Sequence, residues 1–374
     1  MQVKDFCGWP PLVRVAEAGQ LAIVELLLVR VANPLIGTIG DRLPLHFAAE
    51  EGHESVVRVL LKQSTLDLNK KDYTWQMALF KAANNGRHGV VELLLQQDEI
   101  EPDSASTDGF TPLIQAILNR NTKTVMLLLD RYDVNPNLAD TSYDQTSLWL
   151  AATAGVAILQ MFLAKKDIEI DGRSRWGETP LYQAIQRKYL NEAKLLLEAK
   201  ADPNIPNSLE QTPLYWTADN GKEERMELLL RQPAIALDVP DKLGQKPLLR
   251  AASNGHVKCV RMLLAKNANV GCTDNESRTA LHCAAANGQK VAAKVLLKSK
   301  ANINAQDKTG NTPLALAAAG NHDAVVRFLL ESDADADLAN EDEETKARDK
   351  HMDQIAEVFR EVLQLPEAST IALE

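Results

Sequence analysis

The chain has 374 residues, 51 acids against 41 bases, and a formal net charge of −10. The excess is local: residues 331–344 hold eight acids and no base, residues 345–374 hold six acids and four bases, and the first 330 residues balance at 37 of each. A neutral body is a poor match for a phosphate backbone, so nucleic acid is not an expected partner. No run of about 18 apolar residues is present to span a membrane.

Four cysteines, Cys7, Cys259, Cys272 and Cys283, form no C-x-x-C pair. They read as reduced thiols of an intracellular protein, cytoplasmic or nuclear. The opening segment MQVKDFCGWPP lacks the apolar core of a secretory leader, which points the same way.

From DFCGWPPL at Asp5 onward, one pattern returns at a nearly constant period. Aligned on the second position of a T-P-L-H-like start, its copies sit at Pro11, Pro44, Ala78, Pro112, Ser147, Pro180, Pro213, Pro247, Ala280 and Pro313. The gaps run 33, 34, 34, 35, 33, 33, 34, 33 and 33. A Pro here opens a helix, where its missing N–H costs nothing. The residue before it is Thr at Thr111, Thr146, Thr179, Thr212, Thr279 and Thr312, the type that caps a helix. An Ala pair follows, as in Ala48–Ala49 and Ala284–Ala285, and then Gly at Gly19, Gly52, Gly86, Gly155, Gly221, Gly255 and Gly288. Such a Gly ends the first helix in a left-handed conformation. The second helix carries an apolar stripe closing on a pair such as Leu60–Leu61 or Leu229–Leu230, with the spacing of one buried face. This pattern resembles the ankyrin repeat family, over roughly residues 5–339. Segments such as TPLYWTADNG and TSLWLAATAG resemble the long arrays of filamentous fungi. The fold implied is an all-α repeat solenoid of ten repeats, each a β-turn finger followed by a helix–turn–helix.

Departures are expected to show locally. Arg120, Lys188 and Asn321 occupy the Gly slot and add strain there. In repeat five Phe162–Leu163 comes one residue early, so its inter-helix turn should be short, and the 35-residue gap before it places extra residues in the loop 132–138. Domain organisation is expected as one array over residues 1–339 and, over 340–374, an acidic connection followed by a capping helix. That helix would present Met352, Ile355, Val358, Phe359, Val362 and Leu363 on one face.

No phosphate-loop, dinucleotide, zinc-protease or nucleophile-elbow motif is present, so no catalytic residue, cofactor or metal is assigned. His46 and His282 stand in the His slot of T-P-L-H, and His53, His256 and His322 follow the Gly slot; all five read as turn-orienting hydrogen bonders. His256, Cys259, Cys272, His282 and Cys283 do not have the spacing of a zinc set. Asp333, Asp335, Asp337 and Glu344 have calcium-loop spacing but place Leu338 where that loop needs Gly, so a solvated turn is the expectation. Asn69, Asn204 and Asn304 hold the loop before each finger; in some members of the family this slot is hydroxylated.

In the family the binding face is the concave side, built from finger tips and the exposed edge of the first helix. Finger positions, two to five residues before the Pro slot, hold Phe6, Trp9, Tyr73, Trp75, Phe110, Tyr143 and Trp176. Random placement of the 18 aromatics would put about two there, and all seven fall in repeats one to six. Trp149 and Trp216, by contrast, face the repeat body and read as core. Each finger aromatic has two readings, an interface anchor or packing between neighbouring fingers. Around them lie Arg42, Arg175, Arg187, Glu50 and Glu51, a mixed rim of the kind that surrounds protein interfaces.

The function implied is a non-catalytic, monomeric protein-binding scaffold, with Tyr73, Trp75, Phe110, Tyr143 and Trp176 at its centre. Two alternatives stand beside it: a recognition arm belonging to a larger effector, and an enzyme with a small-molecule pocket in the concave groove.

Overall fold

A computed structural model describes residues 9–30, 32–336 and 338. Among them every regular element is an α-helix, and the only paired extended residues are two isolated bridges, Ala139 with Thr146 and Thr273 with Thr279. The chain divides into two compact units, residues 1–202 and 203–374. In the first, helices come in six pairs: α1 (Pro11–Glu17) with α2 (Leu21–Val29), α3 (Pro44–Glu51) with α4 (Glu54–Leu61), α5 (Ala78–Asn84) with α6 (His88–Leu95), α7 (Pro112–Leu118) with α8 (Thr122–Leu129), α9 (Ser147–Ala154) with α10 (Val156–Leu163), and α11 (Pro180–Arg187) with α12 (Leu190–Glu198). The second holds four: α13 (Pro213–Asp219) with α14 (Glu223–Leu230), α15 (Pro247–Ser253) with α16 (Val257–Ala265), α17 (Ala280–Ala286) with α18 (Lys290–Lys298), and α19 (Pro313–Ala319) with α20 (Asp323–Leu330). Each residue aligned in the Pro slot begins a first helix. The expected capping helix at 340–374 lies outside the described residues, as does Phe6.

Within each unit the first helices pack side by side, and the second helices do the same in a parallel layer. The sequence permits this at the fourth position after the Pro slot. There Ala48, Ala82, Ala116, Ala151 and Ala184 in unit one, and Ala251, Ala284 and Ala317 in unit two, are fully buried. A side chain no larger than a methyl group lets adjacent backbones approach and fill the space at crystal-like density. In the second layer Leu60, Leu94, Leu128, Phe162 and Leu196 are equally buried, each contributing about 1.5–3 kcal/mol of burial.

Polar groups cap the helices and, within each unit, tie pairs together. Thr111 Oγ1 accepts from the Ile114 N–H at 3.2 Å, and the other five slot threonines cap their helices in the same way. His46 Nδ1 accepts from the Leu43 N–H at 3.0 Å while its Nε2 bonds the Lys70 carbonyl; His282 bridges Thr279 and Asn311 likewise. After the Gly slot, His53 reaches the Glu17 carbonyl, His256 that of Asp219 and His322 that of Ala286. These bonds satisfy carbonyls that a helix C-terminus leaves open. Arg87 and Asn121 fill the same slot and make the same kind of bond, to Glu50 and Ala83.

The irregular positions behave as their residues require. Arg120, Lys188 and Asn321 all take positive φ, 56°, 68° and 55°. In repeat five only Gly155 separates α9 from α10. Its φ of 131° and ψ of 154° belong to a region essentially confined to Gly, because one residue must make the turn that two or three make elsewhere. One expectation needs correction. Trp149 is buried as foreseen, but Trp216 is only half-buried, with the Arg225 guanidinium 5.5 Å from its ring centre. Its indole runs along the repeat body to the surface, where a cation covers it.

The loop before most fingers is pinned to the next repeat. Asn69 donates Nδ2–H to the Glu99 carbonyl at 2.7 Å and accepts the Glu101 N–H at 2.9 Å; Asn137 and Asn204 make both bonds too. Asn304 accepts the Asp335 N–H, which places Asp333 and Asp335 in a repeat turn; Asp337 and Glu344 lie outside the described residues. In the equivalent slot Asp103 accepts the Asn135 N–H at 2.8 Å, but its Oδ1 is buried without a partner. A carboxylate has no proton for the carbonyl that Asn would meet. Burial, with Asp133 adding repulsion, raises the Asp103 pKa above its ordinary value.

Asp103→Asn is therefore expected to stabilise the protein at neutral pH by about 0.5–1.5 kcal/mol, one net hydrogen bond. The pKa is higher in the folded state than in the unfolded one, so the folded state gains the proton first as pH falls. The advantage of Asn shrinks between the raised folded pKa and the ordinary carboxylate range, and is constant below it. Urea melts of both proteins at neutral and mildly acidic pH measure this; equal stability at neutral pH would refute it.

Candidate functional site

All five candidate aromatics lie in unit one, on the fingers of repeats three to six, and all five reach the surface. Tyr73 is 71% exposed, Trp75 59%, Tyr143 47% and Trp176 45%, while Phe110 is half-buried. Neighbouring fingers touch. The Tyr73 N–H donates to Gly40 O at 3.1 Å, Thr107 N–H to Thr74 O at 3.1 Å, and Arg175 N–H to Tyr143 O at 2.7 Å. Fingers four and five meet closely enough that a Cβ on Gly109 would lie 2.2 Å from Thr141 Oγ1. The four fingers form one row, and the aromatics sit along it.

Both readings of these aromatics find examples. Trp9 is half-buried and packs on Phe47, ring centres 4.7 Å apart, with the Arg14 guanidinium 4.1 Å over its face; it serves the structure. The Tyr143 and Trp176 rings stack at 5.3 Å and 20° and keep nearly half their surface in solvent. Tyr73 leans on Gly40, where a Cβ would meet its ring at 2.9 Å. Trp75 has Lys71 Nζ 5.2 Å from its ring centre.

Trp75 stands apart for the size of the side chain on its turn. Three residues before the Pro slot, in repeats two to ten, the finger turns through a left-handed residue; Gly109, Gly177, Gly244 and Gly310 fill that place with φ of 74–80°, and the small or polar Asp41, Asp144, Glu210 and Ser277 with φ of 52–63°. Trp75 fills it in repeat three with φ of 60°. A bulky side chain in this region is an outlier, costing about 1–2 kcal/mol relative to Gly. Here the molecule holds a large, mostly exposed indole on a strained residue.

The charged candidates divide. Arg42 forms an ion pair with Glu50 and lies 3.9 Å over the Phe47 ring; burial lowers its pKa despite nearby acids. Arg175 donates from its guanidinium to Ser142 O at 3.1 Å. Arg42 thus ties its finger to the first helix of its own repeat, and Arg175 ties its finger to the one before. Glu51 lies 4.0 Å from Arg87. Arg187 is exposed and acts on Glu178, whose pKa burial raises and Arg187 draws back.

A bracing residue went unremarked in the sequence. Six positions before the Pro slot, Asp72 Oδ1 accepts from Thr74 N, Thr74 Oγ1 and Gln76 N at 2.6–3.0 Å, and Lys81 lies 3.0 Å from its other oxygen. Burial pushes this carboxyl up, but the bonds from Thr74, Gln76 and Lys81 outweigh it and hold the pKa below its usual value. Asn207, Asp241, Asp274 and Asp307 brace their fingers in the same way. Their common offset from the Pro slot was the signal. Repeats four and six carry Ser106 and Ser174 there, whose hydroxyls are buried without partners. The Phe110 and Trp176 fingers therefore lack this brace.

Cys259, Cys272 and Cys283 are buried, with burial pushing their thiols up to about 11, 12 and 11. Both ring nitrogens of His282 are already engaged. Among the described residues no three His, Cys, Asp or Glu converge as a metal set, and no helix is long and apolar enough to cross a membrane.

Comparison with known proteins now fits this geometry. The family model for ankyrin repeats matches residues 1–72, 73–140, 133–207, 189–274 and 265–340. The chain belongs to the ankyrin repeat family. Its relatives include an ankyrin repeat protein of Rickettsia felis, 30% identical over 136 residues, which are 36% of this chain and 45% of that protein. Human Rabankyrin-5 is 28% identical over 242 residues, 60% of this chain and 20% of its own. The neurogenic locus notch homolog protein 1 of Xenopus tropicalis is 34% identical over 108 residues, 29% of this chain and 4% of its own. The chain thus spans less than half the length of each of these relatives. Ankyrin repeats are a protein–protein interaction module.

The strain at Trp75 is measurable apart from any partner. Trp75→Ala keeps a Cβ in the left-handed turn, whereas Trp75→Gly removes it. Trp75→Gly should be the more stable of the two by about 1 kcal/mol, read as a higher midpoint in urea. A Gly variant no more stable than the Ala variant would show that the turn carries no such strain.

Proposed function

We propose that this ankyrin array is a non-catalytic scaffold that binds a protein partner on the finger row of repeats three to six. Tyr73, Trp75, Phe110, Tyr143 and Trp176 are its anchors, Arg187, Glu50 and Glu51 its rim, and Arg42 and Arg175 the groups that hold the fingers in place. The carrying observation is Trp75: an indole 59% exposed at a left-handed turn where Gly, Asp, Glu or Ser serves the other described repeats. A solvated turn has no use for either property, whereas a rigid aromatic platform is what interface hot spots are made of. The stacked Tyr143–Trp176 pair adds pre-ordered apolar surface with few rotamers left to lose. Of the row's perturbed carboxyls, Asp72 is committed to bracing its finger and Glu178 is answered by the Arg187 charge, which favours binding over catalysis. An intracellular setting suits the three buried thiols.

An affinity pull-down from the source cell, wild type beside Trp75→Gly/Trp176→Ala, tests this once circular dichroism shows both folded. A partner held by wild type and lost by the variant is the expected result. A partner held equally by both would take the site off the fingers.

A second reading, that these repeats are the recognition arm of a larger effector, draws on α2. Ile23 is 44% exposed and Leu26 56%. The residues aligned with Ile23 in repeats two, three, eight, nine and ten, Val56, Val90, Cys259, Ala292 and Val325, are buried against neighbouring helices. The α2 face is thus fit to receive another helix pair. Sequencing the transcript upstream of the Met1 codon decides it: further repeat-encoding sequence is expected, and an in-frame stop would remove the reading.

A further inference from the structure

The charge balance of the first 330 residues hides a local imbalance in unit two. Residues 246–273 and 277–306 contain no acid and ten bases. In the second-helix layer Lys258 and Arg261 lie on α16, Lys290, Lys294 and Lys298 on α18, and Lys266 and Lys300 just beyond them, all exposed. Lys290, Lys294 and Lys298 follow one another at four-residue spacing, which stacks like charges on one helical face and is destabilising. A charge near a helix C-terminus answers the open carbonyls there, and that accounts for Lys298; it does not account for Lys290 or Lys294. Lys258 is paired with Glu223 at 3.0 Å, and Lys290 lies 5.8 Å from the centre of the Phe328 ring. Arg261, Lys294 and Lys298 have no acidic partner among the described residues.

Where α16 and α18 pack together they leave an open groove of about 350 Å³, lined by Arg261, Leu264, Ala265, Val295, Lys298 and Ser299. Its floor is aliphatic and its two walls are a guanidinium and an ammonium. That combination suits a chain that alternates carboxylates with aliphatic side chains. A phosphate backbone would use the walls and leave the floor wet.

We propose that the groove between α16 and α18 binds an acidic, aliphatic-containing peptide segment of a protein partner. Carboxylates pair with Arg261 and Lys298, an aliphatic side chain covers Leu264 and Val295, and Lys294 steers the approach. This surface is independent of the finger aromatics and stands whether or not they bind a partner.

The test is fluorescence anisotropy on the full chain with a short labelled peptide of repeated Glu-Glu-Leu triplets. Wild type is expected to bind it, more weakly as salt rises, and not to bind the same peptide with Gln for Glu. Arg261→Glu with Lys298→Glu should weaken binding about tenfold or more, and Lys294→Gln with Lys298→Gln less. These side chains are exposed, and an unchanged melting temperature confirms the fold. Trp75→Gly/Trp176→Ala should leave the affinity unchanged. No binding by wild type, equal binding of the Gln peptide, or equal affinity of the charge-reversed protein would each overturn the proposal. So would tighter binding of labelled oligothymidine, which would make the patch a nucleic-acid surface. Neutralising Glu341, Asp342, Glu343 and Glu344 to the amides should change little. A rise of more than tenfold would give the groove to the chain's own acidic run and overturn the proposal.

Discussion

A single helix pair of this chain has two short helices and cannot bury its apolar face alone. Everything else follows from the stacking that solves this. The residue four places after each Pro slot is Ala in eight of the ten repeats and is fully buried there. A larger group at that point would push the first helices apart, and the second-layer leucines would lose their partners with it. Repetition of a small residue at one fixed place therefore sets the spacing of the helices, and the hydrogen bonds from the His, Arg and Asn side chains after the Gly slot act only once that spacing is met. Energetically each repeat depends on its neighbours and little else.

The fingers stand outside this constraint. Their backbone course is set by one left-handed residue, in most of them by one bracing Asp or Asn, and in several by one N–H to the preceding finger. Side chains between those points are free to vary without cost to the stack. Exposed aromatics accumulate in that freedom on fingers three to six, and two of those fingers have Ser106 and Ser174 in place of the brace. A finger held by fewer internal bonds adapts more readily to what it meets. The two fingers without the brace carry Phe110 and Trp176, while Tyr73 and Trp75 stand on a finger that Asp72 holds.

Much of this was legible because a repeat prints its own alignment. Helix starts, the strained Gly slots at Arg120, Lys188 and Asn321, and the shortened turn at Gly155 follow from counting positions. The left-handed turn of the finger was partly present in the letters, since Gly recurs three places before Pro112, Pro180, Pro247 and Pro313, while Asp41, Trp75, Asp144, Glu210 and Ser277 take the same conformation without it. What counting could not supply is where long side chains end up. Arg42 and Arg175 look like rim charges by position but are consumed by Phe47, Glu50 and Ser142. Trp216 shares its slot type with core residues yet slides to the surface beneath Arg225. Such outcomes depend on which neighbour offers the better contact, a three-dimensional question. The basic groove was hidden differently: bases on α16 and α18 cancel against acids elsewhere, so totals conceal what the helix periodicity gathers on one face.

The two candidate surfaces differ in chemistry as well as in place. The finger row offers aromatic area with little charge; the groove of unit two offers charge around a small aliphatic floor. Apolar anchors act mainly through slow dissociation, and charges mainly through faster, salt-dependent encounter. A globular domain would couple such sites through a shared core. Here each rests on its own few repeats. Nearest-neighbour stacking is thus what lets one chain keep an aromatic surface on strained turns in one unit and a cluster of repelling lysines in the other, each at a stability cost confined to its own repeats.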